Sequence, residues 1–406
     1  MPSKIKKLKR ALRGEVKLTT AAREAIRRSR VAASHRRERA TIDRDHPLLL
    51  AAPFSRMSPL ELLSHVKQRT PIRFLIGFDP CPSTVPNTNL TDWRRDPRSG
   101  YLWPLDYHRD LKLLRSDGSD VRVVWELNRL GHLLRIDDAA RFLSQLHSWS
   151  DQNPYGRGPN WHCAMEVALR AINVLAAFDR FRQSPQIDTD ALLFVLRLLQ
   201  QHGQYIENNL EFSYVATSNH YLSDVAGLLW LGVLLPELSE AKHWREFGLT
   251  ELLREMDKQI LADGADYESS TGYHRFVLEL FLYSFVLCRE NKIAIDTKYW
   301  HKLHQMLEYV KAYVRPDGFA PLIGDTDGGQ VLPVRPRRAD DHAYVLEIGA
   351  EVFDDPDLKR PETASKAFPD AGIYIMRSGD CYLCFNASDA GIDGRGSHGH
   401  NDALSI

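Results

Sequence analysis

The sequence predicts a multidomain α+β protein in which a long run of packed helices is followed by a shorter β region. Three observations carry that expectation. Between about Val121 and Val314, apolar residues recur at three- and four-residue spacing, the period that lays one apolar stripe along a helix. After Pro316 the period drops towards two, as on a pleated strand. The chain has 406 residues, more than one small core requires, which points to more than one domain.

Residues 1–45 read as a basic leader. They hold 15 Lys/Arg against 5 Asp/Glu, among them Lys4, Lys6, Lys7, Lys9, Arg10, Arg27, Arg28 and Arg30, although the whole chain has a formal net charge of +0. Such a stretch is either a solvated leader, disordered or helical, or a grip on an anionic polymer or membrane surface. No apolar stretch or small-residue cleavage site follows the charges, so it does not read as a secretory signal. No run of 18 apolar residues occurs; Leu222–Leu238 is interrupted by Asp224 and Pro236, so no membrane span is expected. A hydrophobic share of 43% and a charged share of 26% exclude disorder as the main state. The neutral balance gives no overall pull towards nucleic acid, and none is expected as a partner.

The second region, residues 46–315, begins irregularly, with Pro80, Pro82, Pro86, Pro97 and Pro104 among Trp93, Tyr101, Trp103 and Tyr107. Helices are expected at Ala164–Phe181, Ala191–Leu210, Tyr221–Leu235, Trp244–Leu261, Tyr273–Cys288 and Trp300–Val314. Turn signals at Asp263-Gly264 and Pro316-Asp317-Gly318 separate them. Similar helix lengths without intervening strands argue for packed helical hairpins, and no fixed period marks a solenoid. Residues 316–406 form the third region, a linker with a partial β domain whose strands fall at Ala371–Arg377 and Asp380–Ala387. Its unpaired edges would be a liability, which predicts a truncated chain. The five cysteines are scattered. Cys381 and Cys384 stand three apart on a strand, on opposite faces, which argues against a shared metal or redox pair.

Four segments concentrate polar and aromatic residues. Asn153–Trp161 precedes Glu166 and Arg170, which share a helix face at i,i+4 and can pair. Asn208 to Tyr221 contains Ser218, Asn219 and His220 at a helix start, where Ser218 or Asn219 serves as an N-cap or the group carries chemistry. Asp263 to His274 contains Glu268 and Tyr273, again feeding a helix, with Ser270 or Thr271 open to a capping role. Gly394 to Asp402 contains His398-Gly-His400, two imidazoles on one side of an extended segment. Two His and one Asp make an incomplete zinc set.

The order Asn-Pro-Tyr, Asn160-Trp161, Glu166, Arg170, then Asn219-His220, then Glu268, Tyr273-His274, then His398-Gly-His400 resembles the heparinase II/III and related alginate-lyase families. Trp125-Glu126-Leu-Asn-Arg129 resembles a motif on an early helix of those enzymes. The resemblance runs from about Asp120 to Ile406. It implies an incomplete (α/α) toroid followed by the start of an antiparallel β-sandwich, with the active cleft where they meet. It further implies a polysaccharide lyase that cleaves 4-linked uronic-acid polymers, heparan-type or alginate-like, by β-elimination. Asn219 or His220 would face the substrate carboxylate, Tyr273 would be the acid/base and His398 a further catalytic histidine. Glu126, Arg129, Asn160, Trp161, Glu166, Arg170, Glu268 and His274 fall to substrate binding. His400 would be a metal ligand, commonly of zinc, with the remaining ligands beyond residue 406. Relatives are often exported, so the resemblance implies the cell envelope or periplasm; with no signal visible, the cytoplasm stays open.

The chemistry explains why such residues are needed. Elimination removes the weakly acidic proton at C5 and expels the oxygen at C4, while negative charge builds up beside the carboxylate. An amide or imidazolium aimed at that charge stabilises it. A tyrosine, pKa near 10 unperturbed, can move both protons if neighbouring cations lower its pKa; for the opposite ring face, His220 would be the base and Tyr273 the acid. Arg129, Arg157, Arg170 and Arg275 are candidates for gripping carboxylate or sulfate. Two rivals stand beside this reading. An inverting α/α-barrel glycoside hydrolase would use two carboxylates, for which Asp263 and Glu268 are available. A binding-only or inactive polysaccharide-recognition protein would use the basic leader as its grip.

Overall fold

A computed structural model describes residues 18–69, 92–326, 328–379, 381–389, 391–392 and 396–399. Among the described residues there are eleven α-helices and one three-stranded sheet. The helices are α1 (Leu18–Thr41), α2 (Pro59–Gln68), α3 (Val121–Asn128), α4 (Ala139–Gln152), α5 (Ala164–Phe181) and α6 (Thr189–Asn208). They continue as α7 (Asn219–Leu234), α8 (Ala241–Gln259), α9 (Thr271–Glu290), α10 (Thr297–Tyr313) and α11 (Ala343–Phe353). No helix among the described residues is long and apolar enough to cross a membrane.

The six helices expected from periodicity are all present, with ends within three residues of expectation. Most begin earlier than their apolar stripe, because their first turn is built on polar caps. Asp120, Asp138, Asp188, Ser218, Ser270 and Asp296 each accept a hydrogen bond from a first-turn N–H, satisfying donors that a helix start leaves unpaired. The capping reading of Ser218 and Ser270 is therefore correct.

The centre of the helical body is α7, which packs against α5, α6, α8 and α9. Thirteen of its sixteen residues are buried, so it is covered on all sides and largely apolar, with Asn219, Ser223 and Asp224 as buried polar exceptions near its start. Glycines let α8 come close: a Cβ on Gly232 would lie 2.4 Å from Arg245 N, and one on Gly248 would lie 2.7 Å from Leu229 N.

Strands β1 (Lys366–Phe368), β2 (Ile373–Ser378) and β3 (Cys381–Asn386) form an antiparallel sheet in that order, with Ile373 opposite Asn386 and Ser378 opposite Cys381. Phe368, Ile373 and Ile375 are buried, and Phe368 meets the Tyr309 ring of α10 at 4.8 Å. Arg377 donates to the carbonyls of Ala312 and Val314 at the end of α10. The other face exposes Tyr374, Met376, Leu383 and Phe385. Helix α11 was not expected. Its short apolar run, AYVLEIGAEVF, carries no period that separates helix from strand, and its packing on α9 and α10 decides the matter.

Candidate functional site

The loop before α9 is folded by its own polar groups. Gly264, at φ +89, turns the chain against α10, where a Cβ would lie 2.5 Å from Gln305 O. His274 Nδ1 accepts from Asp266 N at 3.1 Å while Nε2 lies 3.1 Å from Met306 O, so the ring proton sits on Nε2. Burial pushes His274 down to about 4, which keeps it neutral. Ser269 takes φ +59 as the chain turns into α9. Ser270 then caps Tyr273 N at 3.2 Å and donates to Asp325 O at 2.6 Å, tying the start of α9 to the 321–326 loop.

Glu268 is the hub of this arrangement and is fully buried. Its Oε1 accepts from Asn219 N at 2.7 Å, and the Asn219 amide donates to both oxygens at 2.9 and 3.1 Å. A carboxylate is thus held at the N-terminus of α7, where the helix dipole favours negative charge. Oε2 also lies 3.3 Å from His398 Nε2 and accepts from Ser397 Oγ at 3.4 Å. His398 Nδ1 lies 3.3 Å from Asp325 Oδ2, and Asp325 N donates to His398 O at 2.8 Å. Held at both nitrogens, the His398 ring stacks on Tyr273 with centroids 3.5 Å apart and planes 7° apart. Three of the four residues expected to be catalytic, Asn219, Tyr273 and His398, are therefore joined through Glu268.

His220, next to Asn219 in the first turn of α7, has its own partner. Its Nδ1 lies 2.7 Å from Glu211 Oε2. Glu211 also accepts from Ala164 N at 2.9 Å and Met165 N at 3.3 Å, supplying the cap that α5 lacks at Cys163. Burial opposes charge on both groups, but their mutual hydrogen bond and attraction win: Glu211 falls to about 2 and His220 is raised, helped by the carboxylates of Glu166 and Glu268. Glu211 and Asp325 were not singled out in the sequence. Glu211 sits inside the polar segment leading to Asn219, and that position was its only signal.

Several expected contacts are made elsewhere. Glu166 pairs with Arg129 at 2.7 and 2.8 Å, not with Arg170. Arg170 is buried and donates to His202 Nε2, Asn160 O and Asn128 O. Asn160 is buried in a knot with Asn128, Asn153 and Trp93 O, and Trp161 donates to Asn153 O. Asn160, Trp161, Arg170 and His274, all assigned to substrate binding by the resemblance, are thus buried, with almost no surface of their own. Arg157 grips Asp43, and Arg275 grips Glu279. The four arginines nominated for anions already hold internal partners, because burial or a facing carboxylate claims each guanidinium. Glu126 is exposed on α3. Of the carboxylate pair of the hydrolase reading, Asp263 accepts from Ala265 N and Ala371 N, and Glu268 accepts from Asn219. Cys381 and Cys384 fall on opposite faces of β3, as expected. His400 lies outside the described residues.

A heparinase II/III N-terminus profile matches residues 136–335, and a heparinase II/III-like C-terminal profile matches residues 360–406. The chain belongs to the heparinase II/III-like family. It is 26% identical over 306 residues to a heparin-sulfate lyase of Pedobacter heparinus, covering 70% of this chain and 45% of that protein. A heparin-sulfate lyase of Bacteroides stercoris is 22% identical over 321 residues, covering 69% and 46%. The chain therefore spans about half the length of these heparinase II/III-like relatives. Among solved structures, heparinase III superposes with a TM-score of 0.61 at 16% identity, over 85% of this chain and 60% of that one. Heparan sulfate lyase HepC from Pedobacter heparinus gives 0.56 at 22% identity, over 83% and 57%. These likenesses establish a shared fold.

Proposed function

We propose that this chain is the catalytic part of a lyase that cleaves 4-linked uronic-acid polysaccharides, heparan-type or alginate-like, by β-elimination. The observation that carries the reading is the Tyr273–His398 stack, in which a phenol at the start of α9 lies against an imidazole braced by Glu268 and Asp325. A phenol and an imidazole in contact supply an acid and a base on one side of a sugar ring. The heparin-sulfate lyases among its relatives support the substrate class.

In the proposed reaction Tyr273 takes the C5 proton and returns one to the departing C4 oxygen. Positioned proton transfer of this kind contributes roughly 10²–10⁴ in rate. His220, whose pKa the Glu211 carboxylate raises, lies against the charge that develops beside the carboxylate. Asn219 has its amide N–H groups turned to Glu268 and is buried. Its part is to fix the first turn of α7 and, through Glu268, His398. The zinc that the family resemblance attaches to His400 enters no step of this scheme.

Uronate polymers incubated with the chain and followed by ultraviolet absorbance test the proposal. An unsaturated uronate end forms without consumption of water if it holds. Binding without any absorbing product would favour the recognition-only reading, and saturated reducing ends would favour a hydrolase.

A further inference from the structure

Outside the Tyr273–Glu268 group, a second set of donors converges at the start of α5. Cys163 Sγ lies 3.1 Å from Glu211 Oε1 and 3.8 Å from His220 Nδ1, and His220 Nδ1 lies 2.7 Å from Glu211 Oε2. One donor atom from each residue fits within 4.8 Å of the others. Tetrahedral zinc, with bonds of about 2.0 Å to nitrogen and oxygen and about 2.3 Å to sulfur, separates its donors by roughly 3.3–3.6 Å. The separations of 3.1 and 3.8 Å bracket that range, and the 2.7 Å His220–Glu211 hydrogen bond would open by roughly 0.6 Å as the ion replaces its proton.

A second observation is an unpaired carboxyl oxygen close to Glu211. Asp224, fully buried on α7, accepts from Glu211 N at 2.7 Å through Oδ2, and its Oδ1 has no hydrogen-bond partner among the described residues. Glu211 and Asp224 thus place two carboxyl groups beside the first turns of α7, Asp224 buried and Glu211 partly exposed and paired with His220. A buried carboxyl oxygen without a donor, as at Asp224 Oδ1, is ordinarily compensated by a cation or a further donor.

We propose that Cys163, Glu211 and His220 form a binding site for zinc or a similar thiol-seeking divalent ion, with a fourth position open to water. The thiolate selects against calcium and magnesium, which take oxygen ligands. Binding displaces the thiol proton and the Nδ1 proton to solvent, leaving His220 neutral with its remaining proton on Nε2. Zinc at this position occupies the ring of His220, a residue of the proposed lyase centre. It therefore acts as a reversible inhibitor, and this consequence alone rests on the functional reading above.

The test is zinc titration of the metal-stripped full chain against a chromophoric chelator, with cobalt as a spectroscopic probe. The wild type should take up one equivalent at this site, with a sulfur-to-cobalt charge-transfer band. Cys163→Ser should abolish the band and weaken zinc by about tenfold or more, and Glu211→Gln should weaken zinc as well. Serine is a favoured residue at a helix N-cap, so Cys163→Ser should fold; circular dichroism checks this, and Cys163→Ala provides a second variant. His304→Asn removes a ligand from a second cluster of donors among the described residues, His304, Glu308 and Asp355, and should leave the cobalt band intact. Zinc uptake unchanged in Cys163→Ser and Cys163→Ala, or lost in His304→Asn instead, would overturn the proposal. So would a wild type that binds no zinc. None of these outcomes depends on whether any polymer is cleaved.

Discussion

The Glu268 carboxylate accepts hydrogen bonds from both the backbone and the side chain of Asn219, the nearest at 2.7 Å. A single buried acid thereby closes the start of α7 and also faces His398 Nε2 at 3.3 Å. Glu268→Gln keeps the shape but turns an amide N–H towards donors. Leaving buried donors unsatisfied costs roughly 1–3 kcal/mol, so a lower stability is expected in urea denaturation. Lyase activity should fall with it, because His398 loses a brace. Unchanged stability together with unchanged activity would show that Glu268 is not the hub.

Tyr273→Phe removes only the phenol oxygen and keeps a ring to stack on His398. The expected result is a loss of roughly 10²–10⁴ in kcat, the range for a positioned proton-transfer group, with little change in melting temperature. Retention of full activity by this variant rules out Tyr273 as the acid/base.

Arg129 and Glu166 form a buried ion pair joining the end of α3 to the start of α5, with side chains 11% and 6% exposed. Removing one partner strands the other charge, which costs about 3–5 kcal/mol for buried pairs. Glu166→Ala should therefore be strongly destabilised, and Glu166→Ala with Arg129→Met should recover part of the loss. A double variant no more stable than the single one would contradict this account.

His274 gives the fold a defined acid limit. Its pKa is depressed by burial to about 4, against about 6.5 in an unfolded chain. Between those values the unfolded state binds the proton and the folded state does not, so stability falls as pH drops below 6.5 and the loss is complete near 4. A shift of that size corresponds to about 3 kcal/mol. Protonation would also set an N–H on Nδ1 against the Asp266 N–H. Melting temperature measured across this window should decline with acid, and more gently in His274→Gln. Equal slopes for the two proteins would show that His274 does not set the limit.

Much of the architecture was legible because it rests on local rules. Ala164–Phe181 carries an apolar stripe and α5 has those same bounds. Ser218 and Ser270 announce helix starts, and they cap α7 and α9. Helix α11 was not legible, since a short apolar run has no period to distinguish it. Among the candidate site residues, Tyr273, Asn219 and His398 could be picked out because turn and polar signals surround them. Glu211 and Asp325 could not, as an acidic residue in a loop looks like any solvated one.

The sequence by itself determined the helical body, the strands that follow it, the resemblance to the heparinase II/III family and the identity of the polar segments. Spacing, caps and motif order are properties of neighbouring residues, and neighbours can be read in line. Only the tertiary structure decided the partners. Glu166 faces Arg129 across 37 positions instead of Arg170 one turn away, and Glu268 meets Asn219 across 49. The buried side chains are paired by whichever groups folding brings within 3 Å or so in a low-dielectric interior, where an unmatched charge is costly. That pairing is fixed by packing and does not appear in the order of the residues.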